Sequence, residues 1–312
     1  MISRRLLRIK VLKALYAHLK SESKSLTVSE KELVGSIDKT YDLYFQMLSL
    51  IVEVARYADQ KQEAAKQKKL PTFEDLNPNR KFVENSVIRI LSESDSVNDY
   101  IAARKLSWAQ HPELIKSIFN ELEQKDYYQK YMLSGETSFK EDLALVNDFY
   151  VNELEESEAL EEALEEISIQ WNDDLGFALL MVTRTLSNLR ASHQEVKVLP
   201  KFKSEEDLEY AKELFEKALL NYDKHQQLIE QYTRNWDVER IAFMDNLIMI
   251  IAVTELTSFP SIPVKVTLDE YIEIAKFYSS PGSSNFINGV LDKIVASLTE
   301  EGQIKKSGRG LI

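Results

Sequence analysis

Arg4, Arg5 and Arg8 fall within two turns of one another, with Arg4 and Arg8 on one helical face at i, i+4. Guanidinium groups placed this way neutralise phosphates; the same run also reads as a solvated helix end. A second candidate runs from Pro281 to Asn288. There Ser283, Ser284 and the unpaired N–H groups of a helix start favour a phosphate. Phe286 carries a ring that can stack an unpaired base or fill a core. Asn288 can read a base edge or cap local backbone.

Other chemistry finds little support. His18, His111, His193 and His225 are scattered, and no His pair at i, i+4 carries the Glu of a zinc-protease site. No glycine-rich phosphate cradle occurs. Residues 153–166 hold eight Glu and no basic residue, with the spacing of a solvated helix, so no acid/base pair stands out. The chain has no cysteine, which excludes disulfides, thiolate metal sites and thiol nucleophiles. No enzymatic activity, cofactor or metal is expected. The net charge of −12 argues against nucleic-acid binding by the whole surface. Residues 1–24, however, hold seven basic residues against Glu22 alone, so a basic footprint is local.

Helices must position these groups. With 44% hydrophobic and 29% charged residues, 312 residues are enough for a soluble, two-domain protein. Eight Gly and seven Pro are too few for a turn-rich β fold, so the fold class is all-α, built of helical bundles. Ser3 caps a first helix with Leu6, Ile9, Val11, Leu12, Leu15, Tyr16 and Leu19 on its apolar side. Residues 29–69 read as one or two long helices, and Pro71 to Pro78 as a domain boundary. Further helices are expected over 80–93, 96–106, 112–133, 138–154, 157–171 and 174–192, then 205–221 and 223–235. Trp171 before one apolar helix and Trp236-Asp237 before another hint at a degenerate repeat. The domains expected are 1–70, an inserted helical region 80–196, a C-terminal bundle 204–300, and a flexible basic tail 302–312.

The stretch from Ile241 to Leu256 is apolar nearly all round, the mark of a buried central helix. Asp245, Asn246 and Glu255 interrupt it, and it is too short to span a bilayer. After Pro260 and Pro263, Thr267 and Glu270 have capping-box spacing. Ser283 or Ser284 caps the last helix. Gly289 inside that helix costs about 1 kcal/mol against alanine, which points to close approach of another backbone or a ligand. Leu6-Leu7 is followed at once by Arg8 and Lys10, so no signal peptide is visible, and a cytoplasmic location is expected.

These residues carry a resemblance. Trp236-x-x-x-Arg240, a hydrophobic helix ending Thr254-Glu255-Leu256, Ile262-Pro263-Val264-Lys265-Val266, Glu270, Ala275-Lys276 and Phe286-Ile287-Asn288-Gly289-Val290-Leu291-Asp292 resemble the C-terminal half of the NusB family of transcription antitermination factors. Ala14-Leu15-Tyr16 follows Arg4, Arg5 and Arg8 at the family's distance. The resemblance covers 1–24 and 205–298 well, 30–69 weakly and the middle hardly at all. It implies a non-enzymatic factor that binds single-stranded boxA-like RNA with the ribosomal protein NusE. Such a factor acts in the RNA polymerase antitermination complex on rRNA operons, with no membrane partner. The resemblance favours the phosphate reading of Arg4, Arg5 and Arg8. It adds Lys13, Tyr232 near the RNA path, and Lys276 as a phosphate partner. Ser284 and Asn285 replace a charged or imidazole side chain of the family. Asp245 and Glu255 are the expected NusE contacts. The alternative is a helical protein-interaction module that no longer binds RNA. An rRNA methyltransferase with a NusB-like domain would need a cysteine nucleophile, which this chain lacks.

Overall fold

Caps and prolines set the helix boundaries. The computed structural model describes residues 1–21, 25–154, 157–233 and 242–311, the side chain of Arg309 aside. Ser3 accepts the Leu6 N–H at 3.2 Å and starts α1, Arg4–Lys20. The expected long helix is a single one, α2, Leu26–Lys66. A Thr72/Asp75 capping box opens the short α3, Phe73–Leu76. Asn85 accepts the Val87 and Ile88 N–H groups ahead of α4, Ser86–Glu93. The Glu195 carboxylate takes the Asp95 N–H at the start of α5, Asp95–Arg104.

The helix expected over 112–133 is two, α6 Pro112–Glu123 and α7 Asp126–Leu133. Leu114, Ile115, Ile118, Phe119 and Leu122 share one buried face, and Tyr128 and Tyr131 would point away from it in a continuous helix. The break at Gln124–Lys125 lets both groups reach the core. Ser138 and Ser157 cap α8, Phe139–Asn152, and α9, Glu158–Ile167. A 3-10 turn over Ile169–Trp171 leads to α10, Leu175–Ser187. Then follow α11 Glu206–Leu220, α12 Tyr222–Thr233, α13 Phe243–Ser258, α14 Val264–Tyr278 and α15 Ser283–Glu300. The described residues contain no strand, as the composition implies. None of the described helices is long and apolar enough to cross a membrane.

Packing divides the chain into two units: a central unit of Asp38–Lys201 with Met1, and a terminal unit of Ile2–Ile37 and Phe202–Ile312. One division therefore falls inside α2, where no break in helical sequence marks it, and not at Pro71 to Pro78. In the central unit α8 packs against α4, α7 and α10. Tyr44, Phe45, Phe82, Phe149, Tyr150 and Trp171 are fully buried there. Trp171 donates its indole N–H to the Lys39 carbonyl at 2.7 Å, and Tyr150 its hydroxyl to the Met47 carbonyl at 2.7 Å. Trp236, the other half of the expected echo, lies outside the described residues with Asp237, Arg240, Ile241, Glu22 and Lys24, so no repeat is drawn.

The terminal unit is organised around α13. Leu247 to Val253 are fully buried, as the all-round apolar pattern requires. Helices α1, α11, α12, α14 and α15 pack around it. The tail expected to be flexible is tied down on this unit. Gln303 N–H donates to the Leu298 carbonyl at 2.8 Å, Ser307 N–H to the Pro260 carbonyl at 3.0 Å, and the Lys306 ammonium to the Phe259 carbonyl at 3.1 Å. Gly310 lies so close to Pro260 that a Cβ would meet its carbonyl oxygen at 2.0 Å.

Candidate nucleic-acid interface

Helices α1 and α14 both pack on α13, and their side chains meet at two levels. Arg5 on α1 meets Glu270 on α14, and eight residues further along both helices Lys13 meets the Tyr278 ring, its ammonium 5.5 Å from the centroid. The two helices thus form a seam carrying most of the expected cations. At its N-terminal end an open cleft of about 690 Å³ is lined by Arg4, Arg5, Arg8, Pro263, Val266 and Glu270.

The three arginines of the expected arm have different fates. Arg5 is half exposed and forms a two-point bond to Glu270, at 2.9 and 3.0 Å. That bond holds its guanidinium above its ordinary pKa. Arg4 is partly exposed and pairs with Asp207 at 3.0 Å, over the Tyr210 ring. Arg8 is internal. It donates twice to Glu255, at 2.8 and 2.9 Å, and stands 3.5 Å from Glu270.

Glu255 has no solvent exposure, and its partners satisfy it. Besides Arg8 it accepts hydrogen bonds from the hydroxyls of Tyr210, Thr267 (2.8 Å) and Tyr271 (3.3 Å). This network fastens α1, α11, α13 and α14 together. Burial works against the charge on Arg8, but Tyr210, Glu255 and Tyr271 outweigh it and keep the guanidinium firmly protonated. Burial, then the Glu255 carboxylate, pushes the Tyr210 and Tyr271 hydroxyls well above their usual range. Arg8 is therefore unavailable to a phosphate, and Glu255 unavailable to a partner protein. Asp245 is buried too, accepting a hydrogen bond from Ser279.

Thr267 does not form a capping box with Glu270. Helix α14 begins three residues earlier, with Pro263 at its N-cap, so Thr267 sits inside the helix and turns its hydroxyl to Glu255. Lys276 is exposed and pairs with Glu273. Lys276 foremost, and Arg5 further off, hold the Glu273 carboxyl below its usual range. Glu270 and Glu273 thus stand among the cations of the seam. The corner is a balanced ionic network rather than a bare cationic patch.

Helix α15 starts at Ser283 with Gly282 at its N-cap in the left-handed region, φ 92°, and without a side-chain cap from Ser283 or Ser284. Ser283 is buried against Ser280, their hydroxyls 2.8 Å apart. Ser284 and Phe286 are half-buried, and Asn285 is exposed. Asn288 is half-buried and bonds to Asp292 at 3.3 Å. Tyr232 is half-buried near the end of α12. A Cβ added to Gly289 would meet nothing within 4 Å, which overturns the expected close approach within the chain. Gly289→Ala is accordingly expected to stabilise the terminal unit by up to about 1 kcal/mol in urea denaturation. A destabilised variant would show that the helix needs the glycine itself.

Sequence reasoning missed Phe277, which is 80% exposed on α14 one residue past Lys276. Its signal was positional: Tyr271, Ile274, Ala275 and Tyr278 form the inward face, and Phe277 lies off it.

Residues 177–296 match the model of the NusB family. The match begins within α10, earlier than expected, and leaves out α1 with its arginines. The transcription antitermination protein NusB of Salinibacter ruber is 43% identical over 104 residues, 33% of this chain and 65% of that protein. The NusB proteins of Chloroherpeton thalassium and Alkaliphilus oremlandii are 42% and 37% identical, over 27% and 29% of this chain and 40% and 66% of their own lengths. The chain thus spans between 40% and 66% of the curated relatives it matches. A solved structure of T. maritima NusB is 27% identical, covering 43% of this chain and 84% of that one with a TM-score of 0.29. Over residues 177–296, then, this chain carries a match to the NusB family model and is similar to NusB proteins.

Proposed function

We propose that this chain is a non-enzymatic transcription antitermination factor. It binds single-stranded boxA-like RNA along the α1–α14 seam, together with NusE, within the RNA polymerase antitermination complex. The observation that carries the reading is the exposed two-point bond of Arg5. Its guanidinium is half exposed and already held in two-point geometry by a surface carboxylate. A phosphate offers the same fork of oxygens, so it can take Glu270's place without moving the arginine. Arg4 and Lys276 would contact further phosphates by the same exchange, and Lys13 would add a contact from beside the Tyr278 ring. Asn285, Phe286 and Asn288 at the start of α15, with Tyr232, would meet bases.

Exchange has a measurable consequence. Arg5→Ala is expected to weaken RNA binding several-fold and lower the slope of log affinity against log salt by about one unit. Glu270→Gln removes the competitor and keeps the shape, so it should tighten binding and steepen that slope. Fluorescence anisotropy with labelled boxA-like RNA reads both. Affinities that fall in both variants, or move in neither, would refute exchange at Arg5.

A second reading draws on a different observation. Glu270 and Glu273 lie on one stripe of α14 between Val266 and Phe277, which are 42% and 80% exposed. An acidic centre with apolar ends fits a basic protein surface. Under this reading the seam holds the protein partner and RNA binding has been lost. Loss of partner binding in Phe277→Ala, with no RNA bound by the wild type, would favour it.

A further inference from the structure

The central unit carries an apolar groove that no expected site uses. It runs between the C-terminal part of α2, the 74–79 segment, α6 and α7, with a volume of about 1030 Å³. Its floor and walls include Tyr57, Ala58, Phe119, Tyr128, Met132 and Leu133. Beside it stand apolar side chains that the fold leaves in water. Leu70 is 90% exposed, Phe73 77%, Leu76 53% and Leu133 87%. Phe73 and Leu76 belong to α3, whose Glu74 and Asp75 form part of the groove wall. A knob and a hole therefore adjoin in one chain.

We infer that this face joins two copies of the chain about a two-fold axis, with the Leu70–Leu76 knob of each copy seated in the groove of the other. Such an isologous contact satisfies both knobs and both grooves at once and closes on itself. The area is sufficient. The knob of each copy, Leu70, Phe73 and Leu76, and the groove that receives it together bring roughly 600 Å² per copy. Two copies then bury about 1,200 Å², the lower bound of a specific interface. A patch of that size is also at the top of what a monomer leaves uncovered.

Charge favours a second copy over a polyanion or a strongly charged peptide. Four of the five charged residues lining the groove are paired within the chain, Lys61 with Glu123 at 2.5 Å and Lys68 with Asp75 at 2.7 Å, and Glu74 is the fifth. The lining thus carries a single net negative charge, two Lys against three acids, which offers little to such a partner and repels a second copy only weakly despite the chain's net charge of −12.

Sedimentation velocity on the full chain between about 1 and 100 µM, a range suited to a modest interface, tests the inference. The wild type is expected to shift from monomer to dimer across that range. The double variant Phe73→Asp, Leu133→Asp should stay monomeric throughout with an unchanged far-UV circular dichroism spectrum. Leu70→Asp, outside any helix, should do the same and guards against a helix defect. Leu220→Asp, 70% exposed on α11, should dimerise like the wild type. A monomeric wild type at the highest concentration would overturn the inference. So would a dimer that survives both Phe73→Asp, Leu133→Asp and Leu70→Asp.

Discussion

Replacing Arg8 by alanine is expected to cost about 3–5 kcal/mol of stability in the terminal unit. The loss comes from what is left behind. Glu255 has no exposure and accepts two of its hydrogen bonds from Arg8. Without that partner a carboxylate remains buried on α13 with only Tyr210, Thr267 and Tyr271 to hold it. Arg5→Ala, three residues away, breaks an exposed pair with Glu270 and should cost no more than about 1 kcal/mol. Amide hydrogen exchange on α13 reads the terminal unit directly, and the two variants should differ sharply there. Equal, small effects would mean that the Glu255 network does not bind these helices together. The contrast matters for function as well: lost RNA binding in an Arg8 variant reports unfolding, whereas the same loss in an Arg5 variant reports contact.

Acid should destabilise the same unit through His225. Its imidazole is buried on α12, with Nδ1 3.1 Å from the Thr254 hydroxyl. Burial foremost, with Lys224 nearby, pushes its pKa down from 6.5 to about 4. Below pH 6.5 the unfolded chain takes up a proton that the folded one refuses. The stability this group contributes is therefore complete above about pH 6.5 and is lost progressively as pH falls to about 4. The full loss is roughly 3 kcal/mol. Urea denaturation across this range, compared with His225→Gln, isolates the effect, because the variant removes that part of the pH dependence. An NMR titration placing the His225 ring near 6.5 would contradict it.

Much of the fold could be read from residue patterns. The apolar run of α13 announced its place at the centre, and Ser3 marked the start of α1. The errors have physical causes. Thr267 and Glu270 have capping-box spacing, but the helix starts at Val264 and the Thr267 hydroxyl is taken by Glu255. Arg8 was grouped with Arg4 and Arg5 as a phosphate ligand, although Val11, Leu12 and Leu15 put it on the buried stripe of α1. Glu255 likewise interrupts a helix buried on every side. An acid and a base, each on an apolar face, were a pair in the making, but only tertiary structure says which two elements meet. The division inside α2 left no trace because helical sequence runs unbroken through it. The acids of the seam were visible in the sequence, and the Glu273–Lys276 pair has i, i+3 spacing within α14, but the Arg5–Glu270 pair depends on how α1 and α14 meet on α13.

The most direct test of the central claim is equilibrium binding of the full chain to boxA-like and scrambled single-stranded RNA, with and without NusE, across a range of salt. Preference for the boxA-like strand, tighter binding with NusE present, and affinity that falls as salt rises are expected. Equal, salt-insensitive binding to both strands, or none even with NusE, would contradict it.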